Sequence, residues 1–220
     1  MNSSYYVFSY VKQTALVFNE FWEYQGNITL PNKPIYSVYA NDEIYVSSPD
    51  NIDKFDKYLN LTLQSYPSSN NYNGIYFNES AGLLYATSTT GNRIDIFNTD
   101  LSIMQSIDTN FKPWFISQYN DMIAVSEESY TGNINFLKNN ISTSNMPTSC
   151  RDRISSMLFD NYDHMIVLCY NPSYLYVYHT NGTFTGTSFR VCSSSNPLFI
   201  NFDSKDRLVV VCLTKIEIYC

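Results

Sequence analysis

The chain has 220 residues, 20 Asp and Glu against 13 Lys and Arg for a net charge of −7, and 16% aromatic residues with only seven glycines. Phosphate binding rests on clustered Lys and Arg, and here the basic residues are scattered, so nucleic acid is excluded as a partner. No apolar run approaches the roughly 20 residues of a membrane helix, and the first thirty residues lack a basic start followed by an apolar segment, so neither a membrane span nor a signal peptide is expected.

Taken in order, the chain reads as short strands broken by turn residues, with no helical periodicity of useful length. The first unit, about residues 1–30, holds strands at Ser4 to Val11, Thr14 to Phe21 and Asn27 to Leu30. The second, 34–66, has strands near Ile35 to Tyr39, Glu43 to Ser47, Ile52 to Asp56 and Leu61 to Ser65, and the loop Pro67 to Gly74 leads to the third, 74–108. The fourth, 113–147, has Trp114 to Tyr119, Met122 to Ser126 and Asn133 to Leu137, then a polar tail that reads weakly as a strand. The fifth is 153–190 and the sixth 197–220, the latter stopping as its third strand finishes.

These units repeat. The apolar triplets ending at Val7, Val46, Ala86, Val125, Val167 and Val210 are 39, 40, 39, 42 and 43 residues apart. The last apolar residues of the next strand, Phe18, Phe55, Phe97, Leu137, Tyr178 and Tyr219, keep the same beat at 37, 42, 40, 41 and 41. A period near 40 with several short strands per unit is the signature of propeller blades rather than of a helical solenoid. The fold expected is all-β, a six-bladed β-propeller in a single domain, with the first blade lacking its innermost strand and the last its outermost. The alternative is a five-bladed ring in which Trp22 to Leu30 completes the sixth unit. That ring would leave the runs Tyr5 to Phe8 and Ala15 to Phe18 outside the core, at roughly 1.5–3 kcal/mol for each large apolar side chain.

The copies GIYFNESAGLLYATSTTGNRIDIFNTD and PLFINFDSKDRLVVVCLTKIEIY carry an apolar strand, a turn, a second apolar strand, an I-x-I strand and another turn. This pattern resembles the NHL-repeat group of β-propellers over nearly the whole chain. The resemblance implies a six-bladed ring that acts as a binding or scaffolding module, with a few enzymatic relatives. The partner expected is therefore a protein, held on a propeller face, and no cofactor is expected. The compartment stays open between extracellular or secretory, if the chain is a piece of a longer protein, and cytoplasmic.

A hydrolase or lyase is the alternative function. It would gather carboxylates, Asn and His on the innermost strands, and those read IYSVYA, IYFNE, WFISQY, ISSMLFD and LFINFD, nearly free of acids before their turns. No catalytic, cofactor-binding or metal residue is therefore assigned. His164 and His179, the only histidines, stand beside turns, and Asp160 and Asp163 are what tight hairpins demand, although both types can ligate metals. Tyr10, Tyr72, Tyr130 and Tyr174 fall in or beside loops, which admits a carbohydrate-binding propeller as a minor reading. The second-to-third-strand connections vary in length, so they are expected on an exposed face.

Two further features belong to modification. Six Asn-x-Ser/Thr sequons occur, and those at Asn27, Asn60, Asn140 and Asn181 follow a third strand, which would make them accessible glycosylation sites. Cys150 and Cys169 occupy the same places in the fifth unit as Cys192 and Cys212 in the sixth. An antiparallel hairpin brings each pair together, so disulfides Cys150–Cys169 and Cys192–Cys212 are expected, with buried thiols as the alternative and Cys220 left over.

Overall fold

The computed structural model describes residues 4–64, 70–138, 141–193, 195–203 and 205–219, with backbone alone for 141–143. Every regular element among them is a strand, and each strand pairs antiparallel with its chain neighbour to form six meanders in series. That is the architecture of a six-bladed β-propeller. By contacts the chain divides into two compact units, residues 1–110 and 111–220.

In the first unit, sheet one is β1 (Tyr5–Ser9), β2 (Thr14–Phe18) and β3 (Tyr24–Thr29); sheet two is β4 (Tyr36–Ala40), β5 (Glu43–Ser47), β6 (Ile52–Asp56) and β7 (Leu61–Gln64). Sheet three is β8 (Tyr72–Asn78), β9 (Leu83–Ser88), β10 (Arg93–Phe97) and β11 (Ile103–Asp108). In the second unit, sheet four is β12 (Pro113–Tyr119), β13 (Met122–Glu127), β14 (Asn133–Lys138) and β15 (Ile141–Pro147). Sheet five is β16 (Ile154–Phe159), β17 (His164–Cys169), β18 (Tyr174–His179) and β19 (Phe184–Arg190); sheet six is β20 (Pro197–Phe202), β21 (Leu208–Cys212) and β22 (Ile216–Tyr219).

The apolar triplets lie on the second strands of sheets two to six and on the first strand of sheet one, and burial explains why they run continuously instead of alternating. Ile44, Tyr45 and Val46 of β5 are all buried, because one face packs toward the sheet before and the other toward the sheet after. Tyr45 meets Phe77, Leu84 and Tyr72 of sheet three, whereas Ile44 and Val46 meet Ala15, Leu30 and the half-buried Tyr6 and Phe8 of sheet one. In the second unit Ile166, Leu168 and Leu175 of sheet five pack on Ile200, Leu208 and Val210 of sheet six in the same manner. Full burial of each such side chain contributes roughly 1.5–3 kcal/mol. β4 lies beside β8 in the first unit, and β12 beside β16 and β16 beside β20 in the second.

Turn chemistry sets the registers. Ala40 pairs with Glu43 across the two residues Asn41 and Asp42, both at positive φ, the conformation a two-residue hairpin of matching twist requires. The fourth strands lie outermost and are largely exposed, which lets sequences as polar as that of β15 serve as strands.

The five-bladed alternative is overturned. β3 pairs with β2, Ala15 opposite Ile28 and Leu16 opposite Asn27, and Trp22 stacks on Tyr5 at 4.5 Å with the rings 4° from parallel. Residues 22–30 therefore finish the first sheet, which keeps its apolar runs half-buried or better. The first and last sheets have three strands each and the middle four have four.

Candidate functional site

The connections between second and third strands all carry exposed residues, as expected, but they differ in what is buried beneath them. In sheet two Ser48 and Asn51 are buried, with Ser48 Oγ donating to the Asn51 carbonyl at 2.8 Å, and in sheet three Thr89 is buried. Both loops still expose residues at their tips, Asp50 in one and Thr90 and Asn92 in the other, and the sheet-one loop exposes Tyr10, Val11 and Lys12. In the second unit the same connections expose Glu128, Tyr130 and Thr131, then Asn171 and Pro172, then residues 213–215.

A cleft of about 270 Å³ opens there, lined by Lys112, Trp114, Glu128, Ser129, Tyr130 and Arg153. Lys112 and Trp114 come from the entry to β12, where Pro113 lies opposite Glu127 and a bulge follows that re-aims the strand. Glu128 to Tyr130 belong to the β13–β14 loop, whose base is closed by the Glu128 amide donating to the Lys112 carbonyl at 2.8 Å. Arg153 precedes β16 and lays its guanidinium over the Tyr170 ring, 4.1 Å from the centroid. The Tyr170 hydroxyl accepts from Asn196 Nδ2 at 2.7 Å, so the Arg–Tyr pair is held on both sides. Tyr130 is 81% exposed at the rim. Aromatic faces beside a guanidinium already stacked on a ring form the surface type that anchors protein interfaces.

A second cleft, about 320 Å³, lies among the hairpin turns of sheets four and five and is lined by Tyr119, Asn120, Asp121, Met122, Lys138, Thr180 and Asn181. Lys138 Nζ stands 3.0 Å from Asp121 Oδ2, and this hydrogen bond holds the Asp121 carboxyl below its usual range. Tyr119 donates to Asp163 across the two sheets.

Both disulfides are present, Cys150–Cys169 with Cα atoms 5.4 Å apart and Cys192–Cys212 at 5.6 Å. Cys220 and Asn140 lie outside the described residues. Asn27, Asn60 and Asn181 are exposed, Asn27 within β3 and the other two in third-to-fourth-strand turns. Asp160 acts as a turn residue, its Oδ1 accepting from the Tyr162 and His164 amides at 2.8 and 2.9 Å. Of the four tyrosines, Tyr10 and Tyr130 are exposed and Tyr174 is half-buried against Tyr176. Tyr72 departs from the loop assignment: it opens β8, is buried, and donates to Asp95 Oδ2 at 2.8 Å.

Asp95 belongs to a set that recurs along the chain. Two residues before the periodic Phe55, Phe97 and Tyr219 stand Asp53, Asp95 and Glu217, the polar members of the I-x-I strands. Each ties down the segment that enters the first strand of its own sheet. Asp53 accepts from Asn32 Nδ2 at 3.0 Å, Asp95 from Tyr72, and Glu217 from the Cys192 amide at 2.9 Å. Asp95 is fully buried and also takes Arg93 Nε at 2.8 Å, which raises the guanidinium above its ordinary value, first through that hydrogen bond. The recurrence at one offset was the signal available in the sequence. Among the described residues one group of three metal-type donors lies together, Cys192, Cys212 and Glu217, and its sulfurs are bonded to each other.

No family model matches the chain, and no curated protein matches it in sequence. Solved structures do. It is similar to virginiamycin B lyase from Staphylococcus aureus at 15% identity, covering 99% of this chain and 80% of that one with a TM-score of 0.71. A streptogramin B lyase matches at 12% identity, 98% and 90% coverage and a TM-score of 0.70. BBS1N, crystallised in complex with ARL6DN, matches at 14% identity, 99% and 73% coverage and a TM-score of 0.68. At such identities the likeness is one of fold: the chain is a six-bladed β-propeller, in a class that includes lyases and a partner-binding module.

Proposed function

We propose that the chain is a non-catalytic recognition or scaffold module of NHL type that holds a protein partner on the face bearing the Trp114–Tyr130–Arg153 cleft. The observation that carries this is the exposed Tyr130 beside Trp114 and a ring-stacked Arg153 around one cleft. BBS1N, a propeller bound to ARL6DN, supports the mode of action without naming a partner for this chain. Tyr130→Ala combined with Arg153→Ala should abolish capture of a partner that the unaltered chain retrieves from its native source, with the melting temperature unchanged. Equal capture by both proteins would overturn the assignment of this face.

The hydrolase or lyase alternative draws on the two lyase neighbours. Against it, β4, β8, β12, β16 and β20 contain no Asp, Glu, His, Lys or Arg. The same Tyr130 and Trp114 surface could stack on sugar rings, and a glycan array with no hits at high protein concentration would remove that reading. Glycans are proposed at Asn27, Asn60 and Asn181, where the side chains are exposed, and mass spectrometry of native material finding all three unmodified would refute them.

A further inference from the structure

The chain has two histidines in 220 residues, and the fold sets them directly opposite each other. His164 opens β17 and His179 closes β18. The Thr180 amide donates to the Asp163 carbonyl at 3.1 Å, the residues flanking the pair, so 164 and 179 form a non-hydrogen-bonded antiparallel pair. Side chains in such a pair stand closest and on the same face of the sheet. Their ring centroids are 5.6 Å apart and the planes 41° from parallel. Two imidazoles sharing one tetrahedral zinc, with Zn–N near 2.0–2.1 Å, have centroids about 5 Å apart, so a small side-chain adjustment would bring both nitrogens to one ion.

Asp160 adds the other requirement. Its Oδ2 lies 3.0 Å from His164 Nδ1. A carboxylate only accepts, so the Nδ1 proton sits between them and the lone pair is on Nε2, the arrangement in which a carboxylate orients a metal-binding histidine. Oδ1 of the same residue is fixed by two turn amides, which holds the carboxylate in place. His164 is about one-third exposed and His179 is exposed, so an ion reaches the pair from solvent.

We propose that His164 and His179 form a divalent zinc site on sheet five, with Asp160 as a positioning residue and water completing the coordination. Neither the partner-binding reading nor its cleft is needed for this. The test is titration of the tag-free chain with zinc chloride, read by calorimetry and by imidazole nitrogen NMR, in which the spectrum contains only two rings. The expected result is one zinc per chain with both rings shifting together. His164→Ala and His179→Ala should each weaken binding at least tenfold. Asp160→Asn should weaken it by roughly ten- to hundredfold and move the His164 nitrogen shifts away from the Nδ1-protonated pattern before any metal is added. Unmoved ring signals at millimolar zinc, or binding retained when both histidines are replaced, would overturn the site. As a readout that does not depend on the variants, zinc should raise the melting temperature of the unaltered chain, and no rise would count against it.

Discussion

The two units solve one problem by different chemistry. In sheets three, five and six the segment entering the first strand is tied to the end of the second, two residues past the periodic triplet. In sheet three that position is Ser88, whose Oγ donates to the Asn70 carbonyl at 2.7 Å, with Thr87 Oγ1 accepting from the Gly74 amide at 2.9 Å just beside it. In sheets five and six the same positions are Cys169 and Cys212, and the tie is a disulfide. Sheet four, although in the second unit, uses hydrogen bonds as sheet three does, with Ser126 Oγ accepting the Phe115 amide at 3.0 Å and the Glu128 amide donating to the Lys112 carbonyl at 2.8 Å. A hydrogen bond of this kind is worth about 1 kcal/mol in any redox setting, whereas a bridge closing a loop of about 20 residues contributes about 3 kcal/mol only while oxidised. The second unit, which carries the Trp114–Tyr130–Arg153 cleft, is thereby the one whose stability depends on redox surroundings.

The largest effect expected is on reduction. Removing either bridge by Cys→Ala replacement of both its members should cost about 3 kcal/mol in denaturant unfolding, and a reductant should reproduce the loss. Before reduction, alkylation should label one cysteine of the five; labelling of all five would show that the bridges do not form in solution. A smaller effect should follow from Ser88→Ala, about 1 kcal/mol and insensitive to reductant, because its partner is a carbonyl. Sensitivity of that variant to reductant would erase the contrast between the units. The smallest effect is on pH. Burial pushes the Glu217 carboxyl up, but the Cys192 amide, Lys215 and Tyr219 outweigh it and hold the group below its ordinary value; Asp203 is likewise held low, against burial, by Arg207 and two turn amides. A depressed carboxylate stabilises the fold above its unfolded value and loses that contribution as pH falls through the folded one. Acid should therefore weaken the second unit progressively below the ordinary carboxylate range, and Glu217→Gln should flatten that dependence in thermal melts across pH.

Much of the framework was legible in the residues. β5 and β6 begin and end where the triplet and the I-x-I strand place them, and both cysteine pairs were found by matching their offsets across two units. The polar tail of the fourth unit is a strand only because β14 offers a paired edge, a tertiary fact that its composition conceals. The ties made by Asp53, Asp95 and Glu217 are not written in the strand pattern, since alternation tells which face a side chain takes but not whether that face is covered. Tyr72 was assigned to a loop for a related reason: its neighbours are turn residues, and the buried carboxylate that holds it is 23 positions away.

By itself the sequence determined the repeat, the order of the units and the equivalent placing of the two cysteine pairs, because each is a matter of local spacing along one chain. Tertiary structure alone decided which polar groups are buried, that Trp114, Tyr130 and Arg153 share one cleft, and that the two histidines face each other. Those outcomes depend on register across a sheet and on what one sheet presents to the next. A period counts residues along a strand, and the burial of a polar group or the meeting of two side chains is settled by packing across strands.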